Sequence, residues 1–89
     1  MPVNPKLSMQ ALILASGPDT PRANEIVDTA LTDFLYEKIE AQRIDLGGRT
    51  IYALLIALDP AHFEAVREDL EASGLKNNFD IAMLEVSKV

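Results

Sequence analysis

Twice in this chain an apolar run stops at a proline-containing breaker and passes directly into a helix-patterned segment, and no other feature restricts the fold as strongly. The first instance is Leu12-Ile13-Leu14-Ala15-Ser16-Gly17-Pro18-Asp19-Thr20-Pro21-Arg22, followed by an amphipathic stretch. The second is the apolar run 50–58, the breaker Asp59-Pro60 and the helical segment 61–73. Short apolar runs bounded by breakers suit buried strands better than helices of useful length. The spacing therefore predicts strands over 9–16 and 49–58. Thr20 is expected as the N-cap of the first helix, with Pro21 at the first helical position, where its missing N–H is no loss. Ala23, Ile26, Val27, Ala30, Leu31, Phe34 and Leu35 then keep to one helix face, and Glu25, Asp28, Thr29, Thr32 and Asp33 to the other.

Gly47-Gly48 separates 38–46 from 49–58 and suits the positive φ angles of a two-residue hairpin turn. The arm before it is irregular, with Ile39 and Ala41 on one phase and Ile44 and Leu46 on the other, so a bulge is expected near Gln42 and Arg43. A polar, irregular arm belongs at a sheet edge. In the second helix Asp59 caps, Pro60 opens, Phe63, Val66 and Leu70 form the inward stripe, and Gly74 is expected to take the left-handed position at the end. Asn77-Asn78 turns the chain into a last strand over 79–86, with Phe79, Ile81 and Met83 on one face and Ala82, Leu84 and Val86 on the other. The order is β-α-β-β-α-β. It predicts an α+β, ferredoxin-like sandwich: a four-stranded antiparallel sheet with two helices on one face and the first and third strands central. Residues 1–8 read as an N-terminal leader and 9–87 as a single domain.

The third strand carries apolar residues on both faces, Ile51, Ala53, Leu55 and Ala57 on one and Tyr52, Leu54, Ile56 and Leu58 on the other. Helices cover only one of them, and an apolar face left open marks an interface. A homodimer, or docking on a second domain, is expected. At 89 residues the chain makes one small domain that buries about 60% of its unfolded surface, so help from a partner suits it. The net charge of -6 repels phosphate backbones and anionic lipid, no apolar run approaches the roughly 20 residues of a membrane helix, and the aromatic residues form no stacking platform for single strands. No nucleic-acid or membrane partner is expected. The absence of cysteine removes disulfides, thiolate metal sites and cysteine nucleophiles, and fits a reducing, cytoplasmic setting. His62 stands alone, without a metal set or a triad, and no phosphate-binding glycine loop or nucleophile elbow occurs. Neither cofactor nor metal is expected.

The loop 17–22 is the candidate site. Backbone N–H groups of Ala23 and Asn24 at a helix start would face a small anion, Asp19 would receive an α-ammonium and Arg22 a carboxylate. The competing view of the same residues is a plain, well-capped helix entry.

With that order of elements and that loop, the chain resembles an ACT domain, a small regulatory module that binds amino acids. Gly17-Pro18-Asp19-Thr20-Pro21-Arg22 looks like the family's Gly-x-Asp-Arg-Pro-Gly loop. Ile39-Glu40-Ala41-Gln42 through Leu46-Gly47-Gly48-Arg49 looks like its second strand and hairpin, most similar to the ACT region ahead of bacterial phosphoserine phosphatases. The resemblance implies a non-catalytic module that dimerises and senses a small amino acid for an enzyme of amino-acid metabolism. It also implies a ligand site at a dimer interface, with Asp19, Thr20, Pro21, Arg22, Ala23 and Asn24 from the loop and Gln42 and Arg43 from the facing strand. Arg22 stands where the family has a glycine, so it would either fill the pocket or bind a ligand carboxylate. If it fills the pocket, a purely structural dimerisation module remains. Arg22 and Asn24 on this topology also resemble an acylphosphatase, a small hydrolase whose glycine- and arginine-rich loop is missing here.

Overall fold

A computed structural model describes residues 7–18 and 20–86. The elements run β1 (Met9–Pro18), α1 (Ala23–Leu31), β2 (Tyr36–Leu46), β3 (Arg49–Leu58), a 3₁₀ turn (Pro60–His62), α2 (Phe63–Asn77) and β4 (Asp80–Val86). The sheet order is β2-β3-β1-β4, and all three pairings are antiparallel. This is the ferredoxin-like βαββαβ arrangement, with the two most apolar strands at its centre. Residues 1–6 of the expected leader lie outside the described residues, while Leu7 is buried.

The core lies between the helices and one face of the sheet. Ala11, Ile13 and Ala15 of β1 and Tyr52, Leu54, Ile56 and Leu58 of β3 meet Val27 and Leu31 of α1 and Val66 and Leu70 of α2. Those phases are the ones that periodicity 2 in the strands and 3.6 in the helices predicts. Most of the side chains are fully buried, at about 1.5–3 kcal/mol each for a large aliphatic side chain.

Four local expectations are corrected. The first helix begins at Ala23, with Arg22 as N-cap and no side-chain cap on that residue, because Pro21 and Arg22 form a turn between Thr20 and Ala23. Thr20 Oγ1 accepts from the Arg22 N–H at 3.2 Å and the Thr20 carbonyl from the Ala23 N–H at 3.4 Å. The same helix ends at Leu31, leaving Phe34 and Leu35 outside it. The Thr32 N–H turns back to the Thr29 carbonyl and the Thr32 hydroxyl to the Asp28 carbonyl, which closes the last turn. The bulge lies between Lys38 and Glu40, and β2 pairs regularly through Gln42 and Arg43. The phase switch of its apolar residues needs no bulge, because β2 is exposed on both faces from Glu37 onward. Lastly, Gly74 sits inside α2, and Asn78 takes the left-handed position, with φ 60°. Glycine is required at 74 for closeness: a Cβ there would stand 2.6 Å from the Phe79 carbonyl oxygen. Gly47 and Gly48, with φ 58° and 76°, form the expected hairpin turn.

Candidate ligand site

The loop between β1 and α1 is bound to the hairpin arm by one side chain. Arg43 lies opposite Tyr52 in the β2–β3 register, on the helix-bearing side of the sheet. Its Nη2 donates to the Thr20 carbonyl at 2.8 Å and to Thr50 Oγ1 at 3.3 Å, and its Nε donates to Asp45 Oδ1 at 3.2 Å. The Thr50 hydroxyl donates to the same Asp45 oxygen at 2.8 Å. Thr50 is the buried polar residue of the core side and has no exposed surface. A buried hydroxyl with a fixed partner holds the charged pair in place, since leaving it unmatched would cost about 1–3 kcal/mol. The Thr50 hydrogen bond, helped by Arg43, keeps the Asp45 carboxyl below its ordinary value of 3.8.

The expected site residues separate into three groups. Thr20 and Arg43 meet directly, and Ala23 is buried beside them at the helix start. Pro21 and Asn24 are exposed around the same loop. Arg22 turns to the side: its guanidinium pairs with Glu25 at 3.2 Å, its side chain is 77% exposed, and it lines an open groove of about 770 Å³ between α1 and α2. Gln42, one residue from Arg43, belongs to the opposite face of the sheet, opposite Ala53, and its amide bonds to Glu40. Asp19 lies outside the described residues.

Sequence reasoning missed Asp45 and Thr50. A signal for Thr50 was present, because it is the one aliphatic hydroxyl residue in the inward row Thr50, Tyr52, Leu54, Ile56, Leu58 of a largely apolar strand. Elsewhere on the same side, burial raises the pKa of Tyr52 and of Tyr36 above 10.0, with the Asp28 carboxylate adding to both. Asp28 Oδ1 is buried without a hydrogen-bond partner among the described residues. No group of three or more metal-ligating side chains occurs among the described residues, and no described helix is long and apolar enough to cross a membrane.

The other face of the sheet carries no helix. Its rows run Glu40-Leu55-Leu12-Leu84, Gln42-Ala53-Leu14-Ala82 and Ile44-Ile51-Ser16-Asp80 across β2, β3, β1 and β4. Leu84 is 53% exposed, Ile44 46% and Leu46 66%. Arg49 stands at one end of this face, bonded to Ser16 Oγ at 3.2 Å, and Glu40 toward the other.

No protein-family model and no curated protein matches the chain. Solved structures share its fold. A protein provisionally described as a glycine cleavage system transcriptional repressor superposes with a TM-score of 0.80 at 21% identity, over 91% of this chain and 47% of that one. An ACT domain protein from Streptococcus pneumoniae gives 0.75 at 19%, over 86% and 89% of the two chains. The regulatory subunit of aspartate kinase from Thermus thermophilus, in its ligand-free form, gives 0.65 at 17%, over 88% and 51%. The chain thus spans about half the length of the first and the third, and at these identities the likeness is one of fold.

Proposed function

We propose that this chain is a non-catalytic, ACT-like regulatory module that binds a small amino acid at the β1–α1 loop and associates with a second copy through its open sheet face. The observation that carries the proposal is the direct bond from Arg43 to the Thr20 carbonyl, which places a cation and a helix entry side by side at the loop expected to hold the ligand. The fold shared with an ACT domain protein over most of both chains, and with about half of a regulatory subunit, supports it. Thr20, Pro21, Ala23, Asn24 and Arg43 are the proposed ligand shell, with Asp19 for the ligand ammonium and Arg22 at its margin, while Gln42 faces the open side of the sheet. The enzyme it serves is proposed to be one of amino-acid metabolism, such as a phosphoserine phosphatase, in the cytoplasm.

A second copy suits the open face better than a foreign partner, because the face is self-complementary. Its centre is mostly apolar, with Arg49 at one end on β3, Glu40 toward the other on β2, and Asp80 at the Arg49 end on the far strand β4. A two-fold axis across the strands brings Arg49 of each copy toward Glu40 of the other.

Amide chemical shifts recorded while L-serine, glycine and then the other amino acids are added test the site. Shifts confined to residues 19–24 and 42–43 are expected. No shift at millimolar ligand would leave a structural association module, which the side-chain turn of Arg22 toward Glu25 does not by itself produce. A sedimentation series in protein concentration tests the second copy.

A further inference from the structure

Residues 43–46 of β2 alternate between two surfaces that have separate roles. Arg43 and Asp45 point to the helix-bearing side, where they form the bonded set with Thr50 and the Thr20 carbonyl. Ile44 and Leu46 point to the open face, opposite Ile51 and Arg49 in the register. Among the described residues, no helix or further strand covers this part of β2 on either side: every residue from Glu37 to Leu46 is exposed. Its position therefore depends on its pairing with β3 and on the contacts its side chains make. A displacement of the Arg43 end moves the open-face residues with it, because strand neighbours share one backbone and differ only in the side they present.

We infer that this four-residue segment couples the β1–α1 loop to the open sheet face, with Thr50 and Asp45 as positioning residues acting through Arg43. The inference rests on the proposed site and the proposed second copy. Thr50 and Asp45 lie on the helix-bearing side, outside both the proposed ligand shell and the open face: they fix the guanidinium, the guanidinium fixes the Thr20 carbonyl, and the same strand presents Ile44 and Leu46. A change at the loop is felt at the sheet face. By linkage, an occupant of the sheet face alters the loop to the same extent.

The test uses Thr50→Val, which removes the hydroxyl while keeping the buried shape, and Thr50→Ser, which keeps the hydroxyl. Arg43→Lys, at a partly exposed position, serves if the valine variant fails to fold. Native-state hydrogen exchange is followed at residues 20–24, 43–48 and, as internal reference, 63–77; the self-association constant is measured by sedimentation. In Thr50→Val and in Arg43→Lys, exchange is expected to rise about tenfold in the loop and the hairpin together, as the loss of one hydrogen bond to a charged group implies, with α2 unchanged. Self-association weakens although no open-face residue has been altered, and Thr50→Ser returns both readouts toward the parent. Faster exchange in the loop alone, an equal rise in α2, or unaltered association beside altered exchange would overturn the inference. A parent protein that stays monomeric at every concentration refutes the second-copy proposal instead, and the paired exchange of loop and hairpin still decides the coupling between them.

Discussion

The two strand-to-helix junctions carry similar punctuation and are held in different ways. At the second, Asp59 Oδ1 accepts from the Ala61 N–H at 2.9 Å, Pro60 opens the turn, and the His62 N–H closes on the Asp59 carbonyl at 2.9 Å. Everything it needs lies within four residues. At the first, Thr20 makes the same local pair, its hydroxyl accepting from the Arg22 N–H at 3.2 Å and its carbonyl from the Ala23 N–H at a longer 3.4 Å, and the carbonyl is gripped in addition by Arg43, 23 positions away in sequence. A junction satisfied by its own residues is rigid wherever it is placed. One that also leans on a distant strand shares that strand's movements, and segments of this kind supply the low-stability regions that respond to ligands.

The largest effect that sharpens this contrast is expected at Gly17, just ahead of the first junction. A Cβ there would lie 2.6 Å from the Phe79 ring, so Gly17→Ala should lower stability by about 1–3 kcal/mol through overpacking, read as a lower urea midpoint. No change in midpoint would show that the first junction does not depend on its distant neighbours. Asp59→Ala should cost about 1 kcal/mol, as the loss of a helix cap does, with faster amide exchange limited to residues 60–64. Faster exchange reaching residues 20–24 would break the contrast. Thr20→Ala should cost only about 0.5 kcal/mol, because the backbone carbonyl that Arg43 holds survives the change; a larger loss would mean that the hydroxyl is the true anchor. The last expectation is one of direction. The folded state favours ionised Asp45, so its contribution is complete above the ordinary aspartate value and is lost as pH falls through the depressed one. Amide exchange in the first junction, corrected for its intrinsic pH dependence, should accelerate only below about pH 3.8, and loosening already at pH 5 would exclude Asp45 as the group responsible.

The same contrast explains what was legible in the amino acids. Gly47-Gly48, the Asp59 cap, the apolar run of β1 and the alternating faces of β3 are signals carried by neighbours in sequence, and each appears where it is expected. The ferredoxin-like topology follows from them. α1 starts at Ala23 because Pro21 and Arg22 are taken up in a turn, and the remote arginine that also holds the Thr20 carbonyl has no local pattern to announce it. Gly74 reads as the left-handed end of α2 because glycine near a helix end usually serves there, whereas here it answers to the Phe79 carbonyl and Asn78 takes that position. At the site, Thr20 and Arg43 were both named as candidates and the structure brings them together. Thr50 and Asp45 were not, since their part depends on the register that sets Asp45 opposite Thr50.

The sheet register also imposes an order on folding. β2 and β3 are joined by two glycines and close the shortest loop in the sheet, whereas β4 pairs only with β1, bringing Val86 to Gln10. Closing a long loop costs more chain entropy than closing a short one, and local pairings form sooner. Hairpin substitutions are therefore expected to slow refolding and β4 substitutions mainly to speed unfolding, a division that stopped-flow kinetics would reveal. On this sequence of events the arginine is waiting on its strand before the loop that it will hold has taken shape.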